Sequence, residues 1–426
     1  MRHFRPLLDR VVAALDAPEI STDAGLILLR KVDLKWGLTS RVAGCLLDAR
    51  RSASVIHTQA KMLSQRVFGI GLGWEDCNDF NALRFDPLYT ICLNEAPAPQ
   101  PTLSRFENSI GRRELFGICE ELVRFYVERH RGQSPKRIVL DLDATDDPAH
   151  GQQQFEFYHG FYGTHCYLPL LMFASADGSP MELLSAVLRP GNVHAGRGSE
   201  AILRRVVPIL KEAFPGAEIL VRADAGFALP KMYAMCEELG LLYLISLPKN
   251  PRLEGLSSQL MSESRAAALN TQAKSRLFGE FGYAAATWPA ERRVIVKAEV
   301  TDKGENPRYV VTNMQADPED LYNMYTQRGD SENRIKELKL DLCSGRTSCH
   351  SFRANFFRLL MHATAFILLT LVREMLAGTD FARSTIGQIR LKLLKISAIL
   401  ERSTRRILVR LPRGHPHAPL LLSLIS

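Results

Sequence analysis

Apolar positions recur at helical spacing through the first third of the chain. The pattern predicts helices over 22–34, 39–50 and 54–68, and a long one over 103–130 with a basic patch at Arg112 and Arg113. Gly37 separates the first two, and Thr39 is placed to cap the second. Helix, glycine turn, helix is the outline of a helix-turn-helix, which many plain helical hairpins share. GWEDCNDFNALRFDP (73–87) reads as a loop with a short helix, and APAPQ (96–100) as a linker. At Lys136 the pattern changes to aliphatic and β-branched runs. RIVLDL (137–142), 155–162 and 167–174 read as three strands of an antiparallel meander. A helix over 200–213, a strand over 217–221, a helix over 229–239 and a strand over 242–246 follow.

Three strands, a helix, then β-α-β is the order of a ribonuclease-H-like fold. Residues 249–313 break that alternation, with strand-like runs at 293–300 and 308–312, and read as a mainly β insertion. Helices are expected again over 318–328 and 331–342. The apolar run 359–372 is short for a membrane span and contains His362, so it reads as a buried core helix. ILVRLP (407–412) reads as a last strand. The expected fold class is therefore α/β: a ribonuclease-H-like core interrupted by a β-rich insertion, with a helical N-terminal region and a basic C-terminal region. The expected divisions are 1–134, 135–248, 249–313, 314–378 and 379–426.

With 426 residues, 46% hydrophobic and 23% charged, the chain can bury a large core. The net charge of +8 favours polyanionic partners. From Phe381 onward nine arginines and lysines (383, 390, 392, 395, 402, 405, 406, 410 and 413) face one acid, Glu401. Eight scattered cysteines form no C-x-x-C pair, which argues against zinc or a disulfide framework and fits a reducing cytoplasm. The opening MRHFRPLLDRVV is broken by charge and does not read as a secretory leader.

The chemistry gathers around YTQRGDSENRIKELK (325–339). On one helix, Tyr325, Arg328, Glu332 and Lys339 fall within an arc of roughly 60°. A carboxylate, two cations and a phenol on one face suit phosphates bound to metal ions; i,i+4 ion pairing on a solvated face is the plainer alternative. Asp143 ends the first strand and Asp224 the fourth, and those strands are neighbours in a ribonuclease-H-like sheet. Asp141 lies on the same face as Asp143 and competes for its role. Asp146 and Asp147 read as turn residues, and His150, His159, His165 and His194 as loop or strand-face residues. Three carboxylates with no cysteine cluster and no HExxH favour Mg²⁺ or Mn²⁺ over zinc. Two such ions can activate a water or 3′-hydroxyl and stabilise the leaving oxygen on phosphorus. Phosphate-loop, serine-elbow and dinucleotide motifs are absent.

The spacing of Tyr325, Arg328, Glu332 and Lys339 resembles that of the insertion-sequence DDE transposases of the YREK group. DLDATDDPAHGQ (141–152) and RADAGF (222–227) are similar to that group's first and second aspartate segments, and GWEDCNDFNALRFDP to one bacterial branch. The resemblance runs over nearly the whole chain. It implies metal-dependent cleavage at the ends of a mobile element and transfer of the 3′-hydroxyls into target DNA. It implies Asp143, Asp224 and Glu332 as catalytic residues and ligands of two Mg²⁺ ions, with Mn²⁺ able to substitute. Asp143 is preferred to Asp141 because Asp143-Ala-Thr145 fits the group's Asp-x-Thr pattern. Tyr325, Arg328 and Lys339 would hold double-stranded DNA. Trp288 lies where some relatives carry a tryptophan that stacks on a flipped base, and packing within the insertion is its other reading. A homodimer bridging two DNA ends follows from the reaction, and a bacterial, nucleoid-associated location from the partner. A DNA-binding protein that no longer cuts, and a stand-alone metal-dependent nuclease, are the competing expectations.

Overall fold

The computed structural model describes Val11 and residues 13–426, so all of the opening MRHFRPLLDRVV except Val11 lies outside the described residues. Among the early helices are α1 (Gly25–Trp36), α2 (Leu38–Ala43), α3 (Gln59–Gly71), α4 (Gln100–Ser109) and α5 (Arg112–Arg129). Two expectations change here. The second helix of the expected helix-turn-helix is six residues long, not twelve, and Leu38, Thr39 and Val42 are buried. Thr39 does not cap it. Its N–H and hydroxyl both donate to the Asp33 carboxylate, at 2.8 and 2.7 Å, which locks α2 onto α1. The predicted helix over 103–130 is broken at Ile110–Gly111, where the Glu114 carboxylate accepts from the Gly111 N–H and starts α5 afresh.

One large mixed sheet follows. Its main strands are β1 (Arg137–Ala144), β2 (Leu170–Ala176), β3 (Glu182–Val187), β4 (Glu218–Ala223), β5 (Leu242–Leu247), β6 (Ser275–Tyr283), β7 (Arg292–Thr301) and β8 (Arg308–Thr312), in the order β6-β7-β8-β5-β4-β1-β2-β3, and the short strand Gly304–Glu305 pairs with β7 alone. β1, β4 and β5 run parallel; the other neighbours are antiparallel. Helices α6 (Ser199–Ala213) and α7 (Pro230–Glu238) make the connections β3–β4 and β4–β5. Parallel neighbours need such crossovers, whereas the β1–β2–β3 meander does not.

The meander is not built from the strands the pattern predicts. The stretch 155–162 is outside the main sheet; only Phe157–His159 is extended, in a small sheet with Asp147–Pro148 and Thr164–Tyr167. The missing strand is β3, ELLSAV. It is buried from Leu183 to Val187 on both faces, so it carries no alternation to read. The segment 249–313, read as mainly β, opens with two helices, Pro251–Leu256 and Ser258–Thr271. Its strands then extend the main sheet, with Tyr309 paired to Leu247 and Thr312 to Leu244.

Helices α8 (Pro318–Thr326) and α9 (Gly329–Lys336) precede α10 (Phe352–Met375). α10 is long and apolar enough to cross a membrane, yet its most apolar window is wholly buried inside the protein. A helix that is apolar all round belongs in a core. It packs against α1, α3 and α5 on one side and β3 on the other, joining helices and sheet in one hydrophobic cluster. Its most deeply buried charge is paired. Arg358 and Arg66 both face Glu107, and Arg66 Nε bonds it at 2.7 Å. Near the end of the chain, Ala398–Arg402 pairs with Ile407–Arg410 and with Ile20–Ser21. Trp74 ties the same region together: its indole N–H donates to Asp23 at 2.7 Å, and Lys395 lies 3.9 Å over its ring.

Candidate active site

Asp143 is the penultimate residue of β1, and Asp224 follows the last residue of β4. The parallel register pairs Leu142 with Ala223, so the two aspartates leave neighbouring strand ends side by side. Asp224 begins a tight turn over Ala225–Phe227, and its Oδ1 accepts from the Gly226 N–H at 2.8 Å. A side chain on Gly226 would meet Ala195 Cβ at 2.7 Å and Asp224 Oδ1 at 3.1 Å, so glycine there lets the turn close.

The stretch 325–339 crosses over these ends, but not as one helix. α8 stops at Thr326, and the chain turns through tight bonds from Arg328 N–H to the Tyr325 carbonyl and from Ser331 N–H to the Arg328 carbonyl. α9 then widens into a π-helical turn over Glu337–Asp341. The single arc drawn on an ideal helix is therefore corrected. The four residues instead line up along the strand ends. Arg328 is buried and bonds two carboxylates: Nη2 to Asp143, and Nη1 to Glu332 at 2.7 Å. Lys339 donates to Thr145 at 3.0 Å and to Asp146 at 2.7 Å. Tyr325 lies half-buried, within the field of Arg328 and Asp224.

Burial pushes the Asp143 carboxyl up to about 7; Arg328 opposes the rise, and Asp224 and Glu332 add to it by repulsion. Burial also acts against the charge on Arg328, but Asp143 and its neighbours outweigh it and hold the guanidinium above its ordinary value. Two carboxylates thus share one internal cation, and the charge of Asp224 acts on it as well. Burial raises Tyr325, with Ser246 opposing.

Asp141 sits apart from this group. It is fully buried, and both its oxygens accept from Arg222, at 2.6 and 2.8 Å, while Arg222 Nη1 holds the Met324 carbonyl at 2.7 Å. Asp146 is the partner of Lys339. Asp147 is buried, and burial pushes it up to about 7. Trp288 is half-buried among Tyr233, Tyr283 and Arg292, with ring centroids at 5.0 and 5.4 Å from the tyrosines.

Two residues join the site that motif reading passed over. The Tyr162 hydroxyl donates to the Ala144 carbonyl at 3.3 Å, and its proton is held by burial and by the charges of Asp146, Asp143 and Asp224. Arg222 is the other, a charged residue in an apolar strand two positions ahead of Asp224; that misplacement was its signal.

Oxygen-only donors at adjacent strand ends suit a hard divalent cation, and the mutual repulsion felt by Asp143 is the electrostatic condition such an ion relieves. Among the described residues no three His, Cys, Asp or Glu side chains are already gathered around one point. Arg328 bridges Asp143 and Glu332 in their place. The residues fit a divalent ion provided that Arg328 releases a carboxylate.

In a comparison with protein families, the family described as transposase DDE domain, group 1, matches residues 7–426. A comparison with curated proteins finds no match.

Proposed function

This chain belongs to the transposase DDE domain family, group 1, and from that premise we propose that it cuts and joins DNA with Asp143, Asp224 and Glu332. The observation that carries the proposal is the meeting of Asp143 and Asp224 on parallel strand ends beneath the Arg328–Glu332 pair. The sheet order β3-β2-β1-β4-β5, with β1, β4 and β5 parallel, supports a ribonuclease-H-like core. On that reading 249–313 is an insertion that widens the sheet, and the chain is a bacterial member of the YREK group.

In this account Asp143, Asp224 and Glu332 hold two Mg²⁺ ions, or Mn²⁺. Bound there, divalent ions supply activation of the attacking oxygen and neutralisation of the leaving one. Asp141 is spared that role by Arg222. Arg328 keeps the repelling carboxylates together in the metal-free state, and on DNA its guanidinium turns to a phosphate, which it matches in a fork geometry. Lys339 holds a second phosphate as a point charge, and the Tyr325 hydroxyl a third contact. The substrate is the double-stranded inverted repeats of an insertion sequence. The 3′-hydroxyls released at the element's ends are joined to target DNA by two copies of the chain, in the bacterial cytoplasm. Trp288, half-buried against two tyrosines and Arg292, is assigned to packing.

A joining assay tests this reading. A short duplex carrying the element's end with a free 3′-hydroxyl is incubated with a supercoiled target plasmid. Covalent joining in Mg²⁺, lost with chelator, is the expected result. Plasmid hydrolysis without joined product would leave only a nuclease.

A further inference from the structure

We propose that Arg189 is a positioning residue for Asp224, fixing the loop against which the Asp224 turn packs. The role rests on the metal-dependent cutting proposed above and names what holds its second carboxylate in place. Arg189 lies just past β3, at the start of the glycine-rich connection to α6. It is only 6% exposed, yet no carboxylate lies within ion-pair distance of it among the described residues. Its guanidinium bonds main-chain oxygens instead. Nε donates to the Leu168 carbonyl at 2.8 Å, and Nη1 to the carbonyls of Ala195 and Arg197 at 2.7 and 2.8 Å. Nη2 is buried without a partner. Burial pushes the group down to about 10, with the Tyr162 phenol opposing. Buried cations are ordinarily paired, because their desolvation otherwise goes uncompensated. An arginine kept here without an acid is therefore used for the shape of its fork: one planar group fixes carbonyls from two separate segments.

One of those segments touches the Asp224 turn directly. A side chain on Gly196 would meet the Gly226 carbonyl oxygen at 2.9 Å and Phe227 Cα at 3.3 Å. From the other side, a side chain on Gly226 would meet Ala195 Cβ. Glycine at both positions lets the two backbones lie in contact. The Gly226 N–H in turn holds Asp224 Oδ1. Guanidinium, loop, turn and carboxylate therefore stand in series. The Ser199 hydroxyl also bonds the Gly196 carbonyl, at 2.6 Å, but that bond is local to the connection. The other segment leads to Asp143. Leu168 lies two residues ahead of β2, its N–H donates back to the Arg189 carbonyl at 3.1 Å, and β2 pairs Leu171 with Asp143. Arg189 thus ties the strand beside Asp143 to the loop beside Asp224, the two carboxylates whose relative placement a shared metal site depends on.

The test uses the full-length protein with Mn²⁺ alone as the probe, titrated by calorimetry, which reads affinity and the number of ions bound separately. Arg189→Lys keeps the charge but gathers its donors on one nitrogen, which cannot bridge the two segments as the fork does. It should bind the same number of ions about tenfold to a hundredfold more weakly, the range for losing a group that orients a metal ligand. Its affinity for an element-end duplex in chelator should equal that of the wild type. Gly196→Ala leaves Arg189 in place and forces the loop off Gly226. It should weaken Mn²⁺ binding as well, and it decides the question if Arg189→Lys does not fold. Fewer ions bound at wild-type affinity in Arg189→Lys would mean a role in folding only and overturns the positioning role. So does wild-type Mn²⁺ affinity in Gly196→Ala. Either result leaves the DNA-cutting function standing, whereas failure of the wild type to bind Mn²⁺ at all overturns its metal-dependent form.

Discussion

At the scale of single residues, the separation of Asp141 from Asp143 is the decisive point. Alternation puts both on one face of β1, and no local rule distinguishes them. The distinction lies in Arg222, which reaches Asp141 across the parallel register from β4. That is long-range information, legible in the sequence only as an arginine out of place in an apolar strand. The two aspartates should therefore behave differently on substitution. Asp141→Asn breaks a buried bidentate pair and should lower unfolding free energy by about 3–5 kcal/mol. Asp143→Asn removes a carboxylate that burial already disfavours, so its stability loss should be smaller while cutting is abolished. Denaturant melts alongside a nicking assay read both. Arg328 yields a second prediction. Arg328→Ala should lose about 3 kcal/mol without metal, since Asp143 and Glu332 then lose the cation they share. Mg²⁺ should raise its melting temperature more than that of the wild type, because no guanidinium competes for the oxygens. Equal metal stabilisation in both proteins would count against a shared site.

At the scale of elements, strongly periodic or aliphatic runs were readable: α1, α3, β1, β4, α6 and α7 lie close to their predicted places. What failed was whatever depends on neighbours. β3 has no alternation because both its faces are covered, and 155–162, which alternates like a strand, is extended only over Phe157–His159, in a small separate sheet. The break at Thr326–Gly329 has one local sign, Gly329, whereas the π turn at Glu337–Asp341 has none. α10 was readable as a core helix, and it carries a pH prediction. His362 is fully buried, donates from Nδ1 to the Arg358 carbonyl at 2.8 Å, and is pushed down to about 3 by burial. The unfolded imidazole takes its proton near 6.5, so stability is fully present above that pH and falls as pH drops toward 3, by about 1.4 kcal/mol per unit. His362→Gln should flatten the decline between pH 6 and pH 4 relative to wild type. Asp143, pushed up, acts with the opposite sign, but it is common to both proteins and cancels from the comparison. Parallel melting curves for the two proteins would contradict the assignment.

At the scale of the whole molecule, the basic excess was plain from composition, but its distribution was not. Arg402 and Arg410 of the C-terminal region are paired with Glu19 and Glu401. Arg405, Arg406 and Arg413 are exposed. The joining of the two ends of the chain through Ile20–Ser21 and Ala398–Arg402 was likewise beyond a linear reading. DNA affinity, if led by phosphate contacts, should fall steeply with salt. Six neutralised phosphates would cost on the order of 10³-fold between 50 and 200 mM. Filter binding across that range measures it, and a flat dependence would contradict phosphate-led recognition.

The central claim is that Asp143, Asp224 and Glu332 form one metal-dependent cutting centre. The most direct test is single-turnover cleavage of a pre-bound element end in Mg²⁺, comparing wild type with Glu332→Ala and Asp224→Ala. The account predicts that each variant binds the end as tightly as wild type and cuts it at least about 10³-fold more slowly. Cleavage by either variant at the wild-type rate would contradict it.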